Sequence, residues 1–336
     1  MLQAHSILYH LTLVFGTLIA ITSTSWFNSW IGLEVNLLAL MPLMKQLSTK
    51  NSSESTIKYF IVQAMASSIF IFSSMFMAIS TENNWMYMKE LSSFFICSAL
   101  LLKMGAAPFH FWLPEVMSGM NWKINLIITT WQKLAPMIII YSMMPYPLHF
   151  SIIIILSSLM SGTQGLNQTC MRKILAYSSI NHTGWMLAAI LTSMKIWLIY
   201  FSIYMLMNFS IILVLNKFNI FYINQMNKML NNKMIKFGFI LSFLNLSGLP
   251  PFLGFLPKWL VIMNLINWKF YLLAMMLSIF TLMSLYFYMR IAILSLTITS
   301  SESMIKYFNK INYLHIMMNI ISLTSLILCT FLTNTL

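Results

Sequence analysis

The chain has 336 residues, of which 59% are hydrophobic and only 7% charged. An ordinary soluble domain carries roughly 25% charged residues, so this composition excludes a soluble globule and points to segments held in lipid or against one another. Nineteen Lys and Arg face six acidic residues, all Glu, for a net charge of +13; the basic residues stand mostly between apolar runs, which reads as membrane topology and not as nucleic-acid binding.

The apolar runs predict an all-α polytopic membrane protein with eleven spans: 4–22, 26–43, 58–79, 91–113, 124–144, 150–168, 174–192, 196–215, 237–265, 270–294 and 316–334. All but the ninth are close to the ~20 residues that bridge a bilayer core. The first has no basic segment before it and reads as a retained helix, not a cleaved signal. The second carries Glu34, the one acid deep in an apolar run. The fourth contains Lys103, followed by Met104-Gly105-Ala106-Ala107-Pro108. Proline has no N–H, so Pro108 is expected to free the Met104 carbonyl and break the helix beside a lysine. Lipid-facing backbone does not stay unpaired, so such a break faces protein or trapped water, as discontinuous helices do at transport sites. The fifth span holds Lys133, with Pro136 freeing the carbonyl of Gln132. The seventh holds Ser178-Ser179-Ile180-Asn181-His182-Thr183, unusually polar for a span. The ninth is interrupted by Gly248-Leu249-Pro250-Pro251-Phe252-Leu253-Gly254 and then carries Lys258. It reads as one broken helix, because each half alone is short for a crossing. Arg290 closes the tenth as an anchor. Cys97, Cys170 and Cys329 are far apart and read as buried thiols.

Alternating the connections between two sides puts Lys45, Lys50, Lys58, Lys123, Arg172, Lys173, Lys217, Lys228, Lys233, Lys236, Lys306 and Lys310 on the side of the N-terminus. Only Lys89, Lys195 and Lys269 fall on the other. That bias predicts the N-terminus on the matrix or cytoplasmic side and the C-terminus opposite. Pro108-Phe109-His110-Phe111-Trp112-Leu113-Pro114-Glu115 also echoes Pro251-Phe252-Leu253-Gly254-Phe255-Leu256-Pro257-Lys258, at an offset of 251 − 108 = 143 residues. The copies lie in the fourth span of two successive sets of five. Five is odd, so the sets enter from opposite faces, the arrangement of an inverted repeat. The expected organisation is a first repeat over 1–148 broken near 104–110 and a second over 149–296 broken near 247–254. A matrix-side loop and C-terminal helix follow over 297–336.

At ~2.5–3.5 kcal/mol for a central lysine, three unpaired ones would cost roughly 8–10 kcal/mol, so they must be paired, hydrated or neutral. Glu34 is the expected counter-ion. Burial disfavours an ammonium and a nearby carboxylate favours it, so an opening and closing Glu–Lys pair is a proton switch. A pair that merely locks helix packing is the plainer alternative, as are snorkelling for Lys133 and Lys258 and a satisfied packing role for His182. His110 is expected at the interface or lining the break. Gly-rich phosphate loops, dinucleotide fingerprints, HExxH and iron–sulfur cysteine clusters are absent from the sequence.

Five motifs in order carry a resemblance over essentially the whole chain: Gly32-Leu33-Glu34-Val35-Asn36, Leu102-Lys103-Met104-Gly105-Ala106-Ala107-Pro108-Phe109-His110, Trp131-Gln132-Lys133-Leu134-Ala135-Pro136, Ala176-Tyr177-Ser178-Ser179-Ile180-Asn181-His182 and Leu246-Ser247-Gly248-Leu249-Pro250-Pro251. The chain resembles the NADH–ubiquinone oxidoreductase chain 2 family, antiporter-like membrane subunits of respiratory complex I, in its short animal form. The resemblance implies a Glu–Lys pair at Glu34 and Lys103, a central lysine at Lys133 and a distal charge at Lys258. His182 matches a polar position often drawn into the same proton-transfer axis. It further implies a multi-pass subunit of the mitochondrial inner membrane, with the N-terminus in the matrix and the C-terminus in the intermembrane space. Its partners would be other membrane and accessory subunits of the complex and membrane lipids such as cardiolipin, with no nucleic acid. The chain itself would hold no cofactor; NADH, FMN, iron–sulfur clusters and ubiquinone would belong to other subunits. Relative to the fourteen-span bacterial form, three N-terminal helices are missing. A spacer role in the same complex, or membership of a stand-alone cation/proton antiporter, are the alternatives.

Overall fold

The computed structural model describes residues 2–45, 50–82, 86–143, 147–229, 233–250 and 252–297. The described residues form helices and no strand; a single antiparallel bridge joins Cys170 to Tyr222. The helices fall on the first ten predicted spans, except Trp112–Gly119, which lies mostly past the end of the fourth, and the 3-10 helix Ile223–Met229, which lies between the eighth and ninth. The predicted eleventh, 316–334, lies outside the described residues, as do Pro251 and Cys329. Among the described residues, seven helical stretches are long and apolar enough to cross a membrane: His5–Thr22, Trp26–Met44, Lys50–Ser80, Trp122–Ser142, Pro147–Leu166, Met194–Phe218 and Tyr271–Ser295. The predicted count of eleven crossings is thus not established. The charged residues Lys89, Glu90 and Lys103 in Met86–Met104, and the polar run in Met171–Thr192, account for two absences from the seven.

The chain divides into two compact units, Met1–Ile153 and Ile154–Leu336. In the first unit, α1 (Leu2–Thr22) and α2 (Trp26–Met44) pack closely along each other. Ser25 caps α2, accepting a hydrogen bond from the Asn28 N–H. The long α3 (Lys50–Glu82) lies against α2, α4 (Met86–Met104) and α5 (Trp112–Gly119). The fifth span is divided into α6 (Trp122–Thr129) and α7 (Trp131–Ser142). Leu13, Leu40, Leu43, Tyr59, Val116, Met120 and Ile128 form the common core of the unit. Phe15 of α1 and Phe72 and Met75 of α3 stand exposed, as lipid-facing side chains do in a membrane helix.

The helix α8 (Pro147–Leu166) runs across the division between the units. In the second unit α9 (Met171–Thr192) is the central element. It packs on α10 (Met194–Phe218), α12 (Phe255–Asn267) and α13 (Tyr271–Thr297), and Ile174 to Ile190 are buried without interruption. A helix buried on every side has no lipid-facing stripe to keep apolar, which is how α9 carries its polar run. Then α11 (Lys233–Ser247) packs on α10 and α13. Arg290 of α13 donates to the carbonyls of Leu166 at 2.5 Å and Gln168 at 2.7 Å, closing the C-terminal end of α8. The anchor read from sequence is therefore a helix cap.

Candidate functional site

In the first unit the break of the fourth span is made differently from the sequence expectation. Here α4 stops at Met104, and Gly105 follows with φ +71°. The Gly105 N–H donates to the Leu102 carbonyl and the Ala106 N–H to that of Leu101. That pair of bonds is a Schellman ending, which requires a left-handed residue at the position glycine occupies. Pro108 lies beyond the turn and continues an already broken chain, and the Ala107–Pro108 peptide is cis. The last carbonyls of α4 receive side chains as well. Trp112 Nε1 donates to Leu102 O at 3.1 Å, and Gln63 Nε2 to Lys103 O at 3.3 Å. The broken end is thus closed by protein groups, as a break inside hydrocarbon must be. His110 is fully buried in this segment, its ring tilted against that of Phe111 with centroids 4.4 Å apart, and so lines the break.

Lys103 is 7% exposed, and its Nζ has no hydrogen-bond partner among the described residues. It lies 5.9 Å from the centroid of the Phe70 ring. Glu34 is half-buried on α2 with its Oε2 unpartnered. The two are within electrostatic reach but form no ion pair. Both ion pairs among the described residues lie elsewhere: Lys58 bonds Glu54 at 2.8 Å and Glu115 at 2.9 Å on an exposed edge, tying α3 to α5. A cavity of ≈ 10 Å³ is lined by Lys103, Asn36, Tyr59, Gln63, Gln132 and Pro136. Its size suits one water, and its lining carries the several polar groups a buried water needs.

Lys133 is 1% exposed, one turn into α7. The interruption of this span falls at Thr130, where φ is −115° and ψ −72°, earlier than the Gln132 carbonyl that Pro136 leaves without a helical donor. Thr130 Oγ1 donates back to Leu126 O at 2.6 Å, so the threonine competes locally for helix carbonyls. A third break, unread in the sequence, therefore precedes Lys133.

In the second unit the break between α11 and α12 repeats the device of the first. Gly248 has φ +76° and stands 248 − 105 = 143 residues after Gly105, the offset of the sequence echo. Gly248 N–H donates to Asn245 O at 3.1 Å, and Asn245 Oδ1 accepts from Gly254 N–H at 3.1 Å. Lys258, 7% exposed, reaches back from α12 and donates to Ser247 O at 2.7 Å. Its ammonium thus sits at the negative end of α11, a favourable place for a cation. A Cβ on Gly248 would stand 2.9 Å from Lys258 Cδ and 3.0 Å from its Nζ, so the glycine provides both the φ and the space. The echo diverges here: its counterpart in the first unit, Glu115, is exposed and paired with Lys58.

His182, 1% exposed, shares a 2.8 Å hydrogen bond between its Nδ1 and the Tyr200 hydroxyl. Its ring lies 5.0 Å from that of Tyr204. Asn181 Nδ2 donates to Ser284 Oγ at 3.0 Å. Sequence reading passed over Tyr200, Tyr204, Ser284 and Tyr288 because buried aromatics in spans ordinarily mean packing. The available signal was the spacing of Tyr200, Tyr204 and Asn208 at successive fourth positions, which puts three polar groups on one helix face.

Each unit therefore holds a helix broken at a left-handed glycine, a lysine near that break and further buried polar groups. Residues 23–284 match the family model described as "NADH:quinone oxidoreductase/Mrp antiporter, TM". The chain is 44% identical over 328 residues to "NADH-ubiquinone oxidoreductase chain 2" of Anopheles gambiae, covering 96% of each chain. The chain belongs to the NADH-ubiquinone oxidoreductase chain 2 family. Its likeness to this family extends to vertebrates: the Didelphis virginiana chain 2 is 43% identical over 299 residues, 87% of this chain and 85% of that one. Among solved structures, "Respiratory complex I from Thermus thermophilus with bound Aureothin" superposes with a TM-score of 0.86 at 21% identity, covering 96% of this chain and 78% of that one. "Structure of Mrp complex from Dietzia sp. DQ12-45-1b" gives 0.74 at 16% identity, covering 84% of this chain and 59% of that one. These two show that the chain shares its fold with chains of both complexes.

Proposed function

We propose that this chain is a core membrane subunit of respiratory complex I in the mitochondrial inner membrane, and that its buried charges take part in redox-coupled proton translocation. Family membership at 44% identity over nearly the full length supports the first part. The second rests on one observation above others: Lys103, Lys133 and Lys258 are all buried in a chain built for the membrane. Intramembrane lysines are costly and are retained where charge movement is the task. The first unit supplies Glu34, Lys103 and Lys133; the second supplies His182 and Lys258. Redox-driven rearrangement elsewhere in the complex would shift Glu34 relative to Lys103, and the change would pass on through the remaining groups. NADH oxidation, FMN, iron–sulfur clusters and ubiquinone belong, in this reading, to companion subunits, and the inverted five-helix repeats are the frame that presents the charges. The predicted orientation, with the N-terminus in the matrix, is part of the same proposal.

Native purification tests the first part: NADH-dehydrogenase subunits should accompany the chain, and isolation without them would favour an antiporter of the Mrp kind. For the second part, complex I carrying Lys103→Met, assembled and reconstituted in liposomes, should move fewer protons per electron. Unchanged stoichiometry with all the lysines neutralised in turn would leave a spacer that only transmits conformational change.

A further inference from the structure

The second unit contains a polar cluster beyond the charged residues. Around Ser178, Ser179 and His182 of α9 stand Tyr200 and Tyr204 of α10 and Tyr288 of α13, all three tyrosines 0% exposed. Besides the Tyr200–His182 bond, the Tyr204 ring lies 5.0 Å from that of His182. The three phenols are within electrostatic range of one another. Packing alone does not ask for phenols, since Phe239, Phe243 and Phe287 fill the same core without a polar atom. A buried hydroxyl costs free energy unless it is hydrogen-bonded. Tyr200 meets that cost on a ring nitrogen of the one histidine in α9.

We propose that Tyr200 is a positioning residue for His182, setting which imidazole nitrogen holds the proton and exchanging a proton with its Nδ1; this rests on the reading that protons move through the subunit. With Tyr200 O–H donating to Nδ1, neutral His182 carries its proton on Nε2. In the transfer step the Tyr200 O–H bond breaks as Nδ1–H forms. The Tyr200 oxygen takes a replacement proton from an incoming hydrated proton, and the Nε2 proton leaves to a water. One proton enters, one leaves, and nothing is oxidised. The starting tautomer returns by exchange through a water, which takes the Nδ1 proton and gives one to Nε2.

The test uses assembled complex I in liposomes, with protons moved per electron measured for Tyr200→Phe, His182→Gln, the double variant and Lys133→Met. Tyr200→Phe is expected to lower the stoichiometry by about the same fraction as His182→Gln, with the double no lower than either, because groups acting as one relay are non-additive. A wild-type stoichiometry in Tyr200→Phe, while Lys133→Met is impaired, overturns the tyrosine proposal alone. Effects that multiply in the double variant overturn it as well. Wild-type values in both Lys133→Met and Tyr200→Phe remove the underlying reading together with it. Tyr200→Gln keeps a hydrogen-bonding group but cannot pass a proton; if the phenylalanine variant does not assemble, a lowered stoichiometry here supports the relay and a wild-type one overturns it.

Discussion

Gly105 and Gly248 each stand at a left-handed φ at the end of a helix that must stop inside the membrane region. An L side chain there costs ~1–2 kcal/mol in backbone conformation alone. At Gly105 an added methyl would also stand 2.7 Å from Leu113 Cδ1, and at Gly248 it would press on Lys258. Gly105→Ala and Gly248→Ala are therefore expected to destabilise the assembled complex, read as faster thermal loss of NADH:ubiquinone activity. Gly248→Ala should additionally lower proton stoichiometry in the complexes that survive, because it displaces the lysine itself. Equal thermal stability of both variants and wild type would contradict the break geometry. Lys58 and Glu115 offer the contrast. Their bond is short but exposed, and exposed pairs are screened by salt and contribute little. Glu115→Gln should leave assembly and turnover unchanged at physiological ionic strength, as judged by native electrophoresis and NADH oxidation.

At the scale of elements, Arg290 joins α13 to the end of α8 through two carbonyls. A hydrogen bond from a charged donor contributes ~1.5–3 kcal/mol. Arg290→Met should lower the melting temperature of the purified complex markedly, and Arg290→Lys, which keeps the charge but not the two-pronged geometry, should lie between. Much of this level was legible in the sequence. The α-helices among the described residues mark ten of the predicted apolar runs, and both glycine-containing interruptions were read at their places. The cause of the first was misassigned, because Pro108 is the more conspicuous breaker while Gly105 makes the turn three residues earlier. The interruption at Thr130 escaped because a pair of threonines in an apolar run has no strong local signal; its effect comes from the Thr130 bond to Leu126. Partnerships across helices were the least legible. Tyr200 is 18 residues from His182, and Ser284 is 103 from Asn181. Helix periodicity gives the face a residue lies on, but not which neighbour that face meets.

For the molecule as a whole, the composition that excludes a soluble globule also sets the energetic problem that the fold solves. Three buried lysines stand in a chain with 6 acidic residues. In the second unit Lys258 is satisfied by a helix end, whereas in the first unit Lys103 faces a small polar cavity with Glu34 at a distance. Lys103 is thus the lysine whose surroundings have most room to change. Two units that each hold a broken helix but differ in how they hold the lysine suit the proposed subunit with one responsive and one anchored position. Lys133, between a broken turn and Pro136, is the buried lysine through which the proposed proton axis continues beyond Lys103. The proton-to-electron ratio of assembled complex I bearing Lys133→Met, measured in liposomes against wild type at equal NADH oxidation, tests that claim most directly. The account predicts a lowered ratio with assembly intact; an unchanged ratio would contradict it.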